Sequence, residues 1–381
     1  MIKALIITSV ASMVEQFLLP SAFLLQDMGY EVHVACNFEN GNTCSPERIE
    51  CLKSILDSRG IEFYQIDFAR NVMRFSQNVR AYKQISKIIS ETDFELVHCH
   101  SPIGGLIGRL ASKKLRKKGV KVIYTAHGFH FYKKAPLKNW ILYYPVEKLC
   151  ARYTDVLVTI NQEDYALAKN KMKARRVEYV PGVGIDLSRF EIVKEDIDKK
   201  RREIGVPENA FLMLSVGELN DNKNHQIIIR ALSALEKTNV YYVVAGLGEK
   251  KEELIALAED LALSDRVRFV GYRKDIPELI NSADLFCFPS IREGLPVSLM
   301  EAMAGGLPIV CSKIRGNTDL VDENGGALFD PYSVDECINA IKHVMNSDIR
   351  KMGCYNKAKV ERFGVQNVIS VMRSIYESEL R

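Results

Sequence analysis

The stretch over residues 288–312 restricts the possible fold of the chain more than any other part. It has the pattern of a strand end, a turn, a short helix and a second strand. It reads FPSIREGLPVSLMEAMAGGLPIVCS. Pro296 suits the first position of a helix, where the N–H group that proline lacks would have no acceptor in the helix anyway. Gly305 and Gly306 can adopt the left-handed conformation that ends a helix. We therefore predict a helix over residues 296–304, between two strands of a buried parallel sheet.

Two glutamates, Glu293 and Glu301, give this stretch its chemistry. Glu293 lies in the loop before the helix, and Glu301 lies about a turn and a half inside it. The free N-terminus of such a helix carries about half a positive charge and unpaired N–H groups that attract phosphate. Carboxylates beside it can hydrogen-bond sugar hydroxyls, so the sequence predicts a nucleotide-sugar site. The alternative is that Glu301 only compensates the helix dipole and Glu293 is a solvated loop residue.

Length and composition place the chain among soluble α/β proteins. A chain of 381 residues with 47% apolar and 26% charged residues predicts two domains, each with its own core. The nine cysteines include no C-x-x-C pair, and most lie in apolar runs, which favours buried thiols in a reducing compartment. No apolar run has the length of a membrane span. We expect a cytoplasmic protein.

Histidines follow two strands of the first half. His100 ends the strand that begins near Leu96, and His127 follows the strand over residues 120–125. Residues 101–105, after His100, are expected to form a turn, with the next helix beginning near Leu106. Ligands bind at the carboxyl ends of parallel strands, and a neutral imidazole can donate or accept a proton near pH 7. We expect His98 to face away from His100 and to be structural. The alternative for each histidine is an ordinary, fully hydrogen-bonded side chain.

A basic segment spans residues 109–176, with 17 Lys and Arg against 4 Asp and Glu, although the whole chain has a net charge of only +4. Aromatic residues interleave with its lysines. Such a face is typical of docking on an anionic membrane, and we predict a peripheral position on the inner face of the cell membrane. A solvated basic face is the alternative. We expect no nucleic acid partner, because no aromatic RNA-recognition motif is present. The aromatic residues are Phe129, Phe131, Tyr132, Trp140, Tyr143 and Tyr144.

The second half repeats the alternation of strands and helices after a hinge rich in proline and glycine at residues 181–186. No G-x-G-x-x-G follows a strand, which counts against a dinucleotide site. The acidic pair Asp196 and Asp198 lies in a charge-rich helical linker, so we predict no metal site there.

The stretch at 288–312 resembles the donor-site signature of the retaining glycosyltransferases of family 4, and the resemblance covers nearly the whole chain. The segments TAHGFHFYKKAPLKNW, PGVGID and SVGELN are similar to those of bacterial enzymes of capsule, exopolysaccharide and lipid-linked oligosaccharide assembly. The resemblance implies the GT-B fold, an α/β architecture of two facing, doubly wound Rossmann-like domains. These are an acceptor domain over residues 1–183 and a donor domain over residues 184–362. A last helix, over residues 363–381, packs back on the acceptor domain.

The resemblance also implies an activity and its partners. We expect transfer of a sugar from a UDP-sugar, with UDP-N-acetylhexosamine as one option, to a polyprenyl-diphosphate-linked saccharide, without metal or other cofactor. Lys223 clamps the donor diphosphate, while Glu218 stands where similar enzymes carry an arginine. The expected catalytic residues are His127, Lys223 and Glu293. The expected donor-binding residues are Gly217, Glu218, Lys223, Tyr272, Arg273, Ile276, Gly294, Leu295, Pro296, Val297 and Glu301. The expected acceptor-binding residues are His100, Phe129 and His130.

Two other functions fit the same pattern. A UDP-sugar 2-epimerase shares the architecture and would convert its substrate without an acceptor. A degenerate transferase acting as a membrane-associated assembly protein would bind UDP without turnover. Glu218 and a first loop that carries Ser9, Ala11 and Ser12 in place of paired glycines point toward the second of these.

Overall fold

The chain divides into two units in a computed structural model that describes residues 2–69, 71, 74–190, 197–235 and 238–380. The first unit is Met1–Gly184 with Val365–Arg381, and the second is Ile185–Gly364. The domain limits predicted from the sequence were 183 and 362. Asp196, half of the acidic pair considered above, lies outside the described residues.

The first unit is built on a seven-stranded sheet in the order β3-β2-β1-β4-β5-β6-β7. Every neighbouring pair of these strands is parallel. The strands are β1 Ile2–Ile7, β2 Tyr30–Cys36, β3 Glu62–Gln65, β4 Phe94–His100, β5 Lys121–Ala126, β6 Val156–Thr159 and β7 Arg176–Tyr179.

Helices connect these strands, as parallel pairing requires. After β1 the chain forms one continuous helical segment, α1 Ala11–Met13, a π-helical turn Val14–Leu18 and α2 Leu19–Asp27. The remaining helices of this unit are α3 Pro46–Ser58, α4 Phe75–Glu91, α5 Pro102–Arg116, α6 Leu137–Leu142, α7 Tyr144–Ala151, α8 Gln162–Lys171 and, at the end of the chain, α17 Val365–Leu380.

The second unit has a six-stranded sheet in the order β10-β9-β8-β11-β12-β13, again with parallel neighbours. Its strands are β8 Phe211–Val216, β9 Val240–Ala245, β10 Val267–Gly271, β11 Leu285–Phe288, β12 Ile309–Ser312 and β13 Gly326–Phe329. Its α-helices are α9 Ile197–Glu203, α10 His225–Ser233, α11 Lys251–Asp260, α12 Ile276–Ser282, α13 Val297–Ala304, α14 Asn317–Leu320, α15 Val334–Met345 and α16 Ile349–Val360. Two 3-10 turns, Leu187–Phe190 and Glu361–Phe363, lie near its ends.

The strand order reverses at one point in each sheet. In the first sheet it reverses between β1 and β4, and in the second between β8 and β11. Connections leave these strands toward opposite faces, which opens a crevice at their carboxyl ends where ligands of such folds bind. The loops that follow β1, β4, β8 and β11 are therefore the first places to look for a site.

Helix α5 begins earlier than the sequence suggested. The run from Ser101 to Gly105 was expected to be a turn, yet the helix starts at Pro102. Ser101 caps it by accepting a hydrogen bond from the backbone N–H of Gly104. Position 105, inside the helix, requires glycine because a Cβ there would lie 2.3 Å from the ring of Tyr124. The glycines thus serve close packing of α5 on the sheet.

The last helix, α17, packs on the first unit through an apolar face and a charged end. Met372, Ile375 and Tyr376 are buried in the same core cluster as β1 and β2. Near the end of the helix the buried carboxylate of Glu379 pairs with the Arg175 guanidinium. The residues of α17 are therefore part of the core of the first unit.

Among the described residues, no helix combines the length and the apolar character needed to cross a bilayer.

The replacement Ile375→Ala should lower the free energy of unfolding of the first unit by about 2–4 kcal/mol, because it leaves a cavity under α17. Urea denaturation followed by circular dichroism measures this change. The matched control is Glu377→Ala, on the exposed side of the same helix, which should change the stability little. Equal, small effects of the two replacements would show that α17 does not belong to this core.

Candidate functional site

Two loops meet at the point of the second sheet where the strand order reverses. One follows β8 and the other follows β11. The backbone N–H of Ile291 donates to the carbonyl of Asn222 at 2.8 Å, and the Asn222 amide donates to the carbonyl of Arg292 at 3.0 Å. These bonds bring Lys223 and Glu293 together, with 2.7 Å between the Lys223 Nζ and the Glu293 Oε1. Both belong to the predicted site.

The Lys223 side chain is held over the crevice by its neighbours. Its Nζ lies 4.7 Å from the ring centroid of Phe288, the last residue of β11. Gly217, the first residue after β8, leaves room for it, since a Cβ there would lie 3.4 Å from the lysine chain. Lys223 is only 20% exposed at its side chain, so its charge acts with little screening by water.

Helix α13 follows the loop after β11, so its N-terminus lies at the end of that loop. Pro296 precedes the helix in extended conformation, with φ of −78° and ψ of 124°, so the helix starts at Val297, one residue later than predicted. Pro296 has no side-chain oxygen with which to cap this end, and no side-chain cap is formed among the described residues. The N–H groups of Val297, Ser298 and Leu299 have no acceptor within the helix, as in every helical first turn. The end is therefore suited to an anion.

A third loop, after β12, supports the Glu293 turn, and the sequence analysis missed it. Arg315 donates from its Nε and Nη2 to the carbonyl of Glu293, at 3.1 and 3.0 Å. Gly316, with φ of +80°, lies so close to Gly294 that a Cβ would be 2.2 Å from the Gly294 carbonyl oxygen. The sequence signal that could have revealed this loop is Arg315 followed by Gly316, a basic residue beside a glycine just after the next strand of the sheet.

Glu301 lies inside α13 with a side chain that is 17% exposed. Burial raises the pKa of its carboxyl group, and the Arg189 guanidinium, 3.7 Å away, opposes that rise. Arg189 comes from the 3-10 turn at the start of this unit. A half-buried carboxylate held beside a cation is well suited to accept hydrogen bonds from hydroxyl groups.

The other predicted donor residues differ in their surroundings. Glu218 and Tyr272 are exposed, and Ile276 begins α12. Arg273 donates to the Asp275 carboxylate from its Nε at 2.7 Å and also pairs with Glu203. This pairing already occupies the guanidinium, so Arg273 is the weakest of the predicted donor contacts. Leu295 is buried under the turn.

In the first unit, three histidines lie in contact at the ends of β4 and β5. His98 and His100 share a face of β4, with ring centroids 4.0 Å apart, because residues two apart point to the same side of a strand. The expectation that they face opposite ways was wrong. His100 Nδ1 lies 3.2 Å from His127 Nε2. His98 is structural, since it bonds Tyr376 and Thr125, both at 2.8 Å.

Burial keeps these imidazoles neutral. It lowers the pKa of His98 to about 3 and that of His127 to about 4, and it holds the pKa of His100 well below its ordinary value. At neutral pH His127 is therefore a hydrogen-bonding group without charge. It can orient a sugar or a phosphate through one ring nitrogen but does not supply a positive charge.

A cleft and a cavity adjoin this histidine cluster within the first unit. The cleft, of about 610 Å³, carries polar side chains, among them Ser9, Ser12, Gln16, Thr43, Asn71 and Ser101, beside the apolar side chains of Val10, Met13, Phe17 and Ile103. The cavity, of about 190 Å³, is mostly apolar and includes Phe129 in its lining. His130 and Tyr143, whose ring centroids lie 4.6 Å apart, line both spaces.

Two of the six aromatic residues of the predicted membrane face, Phe129 and Phe131, are buried. Phe129 and Phe131 are 3% and 0% exposed, and their rings stack on one another at 4.8 Å. Trp140 and Tyr144 pack against Phe131. These rings form a core beneath α6 and α7, so the prediction that Phe129 and Phe131 belong to an exposed face was wrong.

One group of side chains among the described residues could hold a metal ion, namely Glu31, His33 and Glu62. It lies on the first halves of β2 and β3, at the end of the sheet opposite to the loops described above. Both ring nitrogens of His33 already contact carboxylates, at 3.0 Å from Glu31 and 2.9 Å from Glu62. This group therefore does not contribute to the site at the carboxyl ends.

Acidification from pH 7 to pH 4 should lower the free energy of unfolding. In the unfolded chain the histidines have pKa values near 6.5 and bind protons over this range, whereas the rings of His98, His100 and His127 in the folded chain have lowered pKa values and stay largely unprotonated. Acid therefore favours the unfolded state. The replacement His127→Asn should flatten that dependence, as measured by urea denaturation at several pH values. His343→Asn, which removes an exposed histidine, is the control. An unchanged pH profile in His127→Asn would contradict a buried neutral ring.

Comparison with known families matches both halves of the chain. Residues 14–189 match the model of Glycosyltransferase Family 4, and residues 196–361 match that of Glycosyl transferases group 1. EpsD of Bacillus subtilis (strain 168), named as a glycosyltransferase, is 36% identical over 95% of this chain and 93% of its own length. An Escherichia coli UDP-Gal:alpha-D-GlcNAc-diphosphoundecaprenol alpha-1,3-galactosyltransferase is 28% identical over 85% of this chain and 86% of its own length.

Solved structures show the same fold. HepE of Anabaena, in complex with UDP and glucose, matches 99% of this chain and 100% of its own with a TM-score of 0.78 at 20% identity. A sucrose-phosphate synthase of Thermosynechococcus elongatus matches 99% of both chains with a TM-score of 0.79 at 16% identity. The expected GT-B fold is thus confirmed, and the chain is a glycosyltransferase that belongs to family 4.

Proposed function

We propose that this enzyme transfers a sugar from a UDP-sugar, with retention of anomeric configuration, to a hydroxyl of a polyprenyl-diphosphate-linked saccharide. The contact between Lys223 and Glu293, in front of the N-terminus of α13, carries the donor half of this proposal. A cation and an uncapped helix end are the two features that a diphosphate needs.

The Lys223–Glu293 pair suggests how the donor enters. A diphosphate carries more charge than one carboxylate, so it competes well for the Lys223 ammonium. Glu293 is then released to accept hydrogen bonds from the hydroxyls of the donor sugar. Glu301, one and a half turns inside α13, would hold the ribose diol. Arg315 and Gly316 keep the Glu293 turn in place while the side-chain partners change.

Transfer requires the bond between the sugar and the diphosphate to break as the acceptor hydroxyl attacks from the same face. Negative charge then grows on the leaving diphosphate. Lys223 and the first turn of α13 are fixed before the reaction and stabilise that charge without reorganisation. His127, neutral at physiological pH, would orient the sugar, and His100 lies behind it.

The acceptor class rests on the relatives and on the first unit. The Escherichia coli relative is named for a diphosphoundecaprenol-linked acceptor, and the relative EpsD aligns over nearly the whole chain. Exposed lysines lie before and within α6, among them Lys133, Lys134 and Lys138. They would attract an anionic leaflet, which supports a peripheral position on the inner face of the cell membrane. We place the reaction in the assembly of a cell-surface polysaccharide.

Lys223→Ala and Glu301→Ala should each lower kcat/KM for transfer by at least about a hundredfold, because each removes a group that holds the donor in the transition state. The assay supplies UDP-, GDP- and ADP-sugars with a polyprenyl-diphosphate saccharide and identifies products by mass spectrometry. The control is Lys351→Ala, an exposed lysine of α16. Full activity in either of these two variants would show that the donor does not bind at this position.

The same assay separates the other functions. Conversion of the UDP-sugar without an acceptor would indicate a 2-epimerase. Tight binding of UDP without any turnover would indicate an assembly protein.

Transfer should proceed at an unchanged rate in the presence of a chelator such as EDTA, because Lys223 and the α13 N-terminus supply the positive charge that a metal supplies elsewhere. Initial rates with and without EDTA measure this. Loss of activity that Mg²⁺ or Mn²⁺ restores would contradict a metal-independent mechanism.

A further inference from the structure

Helices α6 and α7 leave an aliphatic face without a partner in the described part of the first unit. Leu137, Ile141, Leu142, Val146 and Leu149 are between 40% and 74% exposed. Leu137 and Ile141 are four residues apart in α6, and Val146 and Leu149 are three apart in α7, so each pair lies along one side of its own helix, with Leu142 directly after Ile141. The sequence analysis did not find this face, because it assigned the exposed apolar surface to the aromatic rings that prove to be buried.

Two residues of this face, Leu142 and Val146, also line the apolar cavity described above. Leu106, Phe129, Phe131 and Tyr143 form much of the rest of its wall. The cavity is therefore continuous with the aliphatic face and opens beside it. An apolar cavity that water does not fill readily, with an apolar mouth, suits a hydrocarbon rather than a sugar.

Two polar side chains of the cavity wall, Tyr124 and Glu147, are hydrogen-bonded to each other. Glu147 accepts hydrogen bonds from the Arg109 Nη2 at 2.8 Å and from the Tyr124 hydroxyl at 3.2 Å. Arg109 also donates to the carbonyl of Gly105 and stacks on the Tyr124 ring. A charged ligand would have to break these buried contacts, whereas an apolar one leaves them intact.

The cleft adjoins the cavity across a shared wall of Pro102, His130 and Tyr143. From the end of β4 outward, the surface consists of a cleft that carries polar side chains, a wall with aromatic rings, an apolar cavity and an exposed aliphatic face. This order matches an amphiphile whose saccharide, diphosphate and hydrocarbon follow one another along the molecule. Lys133, Lys134 and Lys138 lie near α6 in the sequence and complement the charge of its diphosphate.

We propose that the cavity between α5 and the α6–α7 pair binds the first isoprene units of the acceptor lipid. The proposal rests on the proposed function, and it names the part of the acceptor that this surface recognises. An apolar cavity of about 150 Å³ takes up benzene, so the cavity of about 190 Å³ is large enough for one five-carbon isoprene unit. The next units would lie along Leu142 and Val146 toward the aliphatic face.

The test compares two acceptors that share the saccharide diphosphate and differ in the tail, a chain of two isoprene units or a methyl group. Initial rates are measured with the full chain in detergent. Leu142→Gln and Leu106→Trp should raise KM for the prenyl acceptor about tenfold, by making the mouth polar and by filling the cavity, and should leave kcat/KM for the methyl acceptor unchanged. Leu137→Gln is the matched control, because Leu137 is exposed on α6 and does not line the cavity.

A second readout does not depend on turnover. A prenyl diphosphate that carries a photoreactive diazirine on its first isoprene unit should label the peptides containing Leu106 or Leu142 and Val146. Excess unlabelled prenyl diphosphate should prevent this labelling. Labelling elsewhere in the wild-type chain, or none, would overturn the proposal, and this result does not depend on whether the variants fold.

The outcomes separate this proposal from the proposed function. Transfer with equal KM for both acceptors, in wild type and variants alike, would refute the isoprene site and leave the transferase standing. No transfer to either acceptor, with labelling at the cavity, would refute the proposed reaction and leave the lipid site. If the variants change only flotation on anionic vesicles and not the kinetics in detergent, the face contacts the leaflet and the cavity claim is wrong.

Discussion

An ion pair between Lys223 and Glu293 joins two loops that are seventy residues apart in the sequence. It forms because β8 and β11 are neighbours in the sheet although they are not consecutive in the chain. Each loop leaves the carboxyl end of its strand, and the two are bonded to each other through Asn222. The proposed donor site depends on this pairing, since a cation and a carboxylate must reach the same crevice from different parts of the chain.

The two sheets share one architecture but carry different chemical groups at the carboxyl ends of their strands. In the second unit, the reversal of strand order presents a lysine, a glutamate and an uncapped helix end, which together suit a nucleoside diphosphate sugar. In the first unit, the ends of β4 and β5 present neutral histidines near a cleft that carries polar side chains and an apolar cavity. One unit thus supplies charge, and the other supplies hydrogen bonds and hydrocarbon contacts. A nucleotide-sugar donor and a lipid-linked acceptor require these two kinds of surface.

Much of the fold, and the positions of the residues of the candidate site on it, could be predicted from the sequence, because the relevant signals are local. Proline and glycine at the ends of α13 fixed its limits to within one residue, and the strands alternate with helices in a regular way. Lys223 and Glu293 could be placed at strand ends for the same reason. The start of α5 was misplaced because its glycines look like a turn, and only the packing against Tyr124 shows why a helix needs them.

Features that depend on tertiary packing escaped prediction. The support that Arg315 gives to Glu293 joins two loops whose contact no local pattern reveals. Phe129 and Phe131 lie beside lysines in the sequence, yet both are buried, with Trp140 and Tyr144 packed against Phe131, and the aliphatic side of α6 and α7 is left exposed instead. The position of His98 could have been derived, since residues two apart share a face of a strand, and the expectation broke that rule.

A crystal structure of the protein with a bound UDP-sugar tests the central claim most directly. It should show the diphosphate between the Lys223 ammonium and the first turn of α13, with Glu293 turned from the lysine to the sugar hydroxyls. A nucleotide bound in the first unit, or a diphosphate held elsewhere while the Lys223–Glu293 pair stays closed, would contradict it.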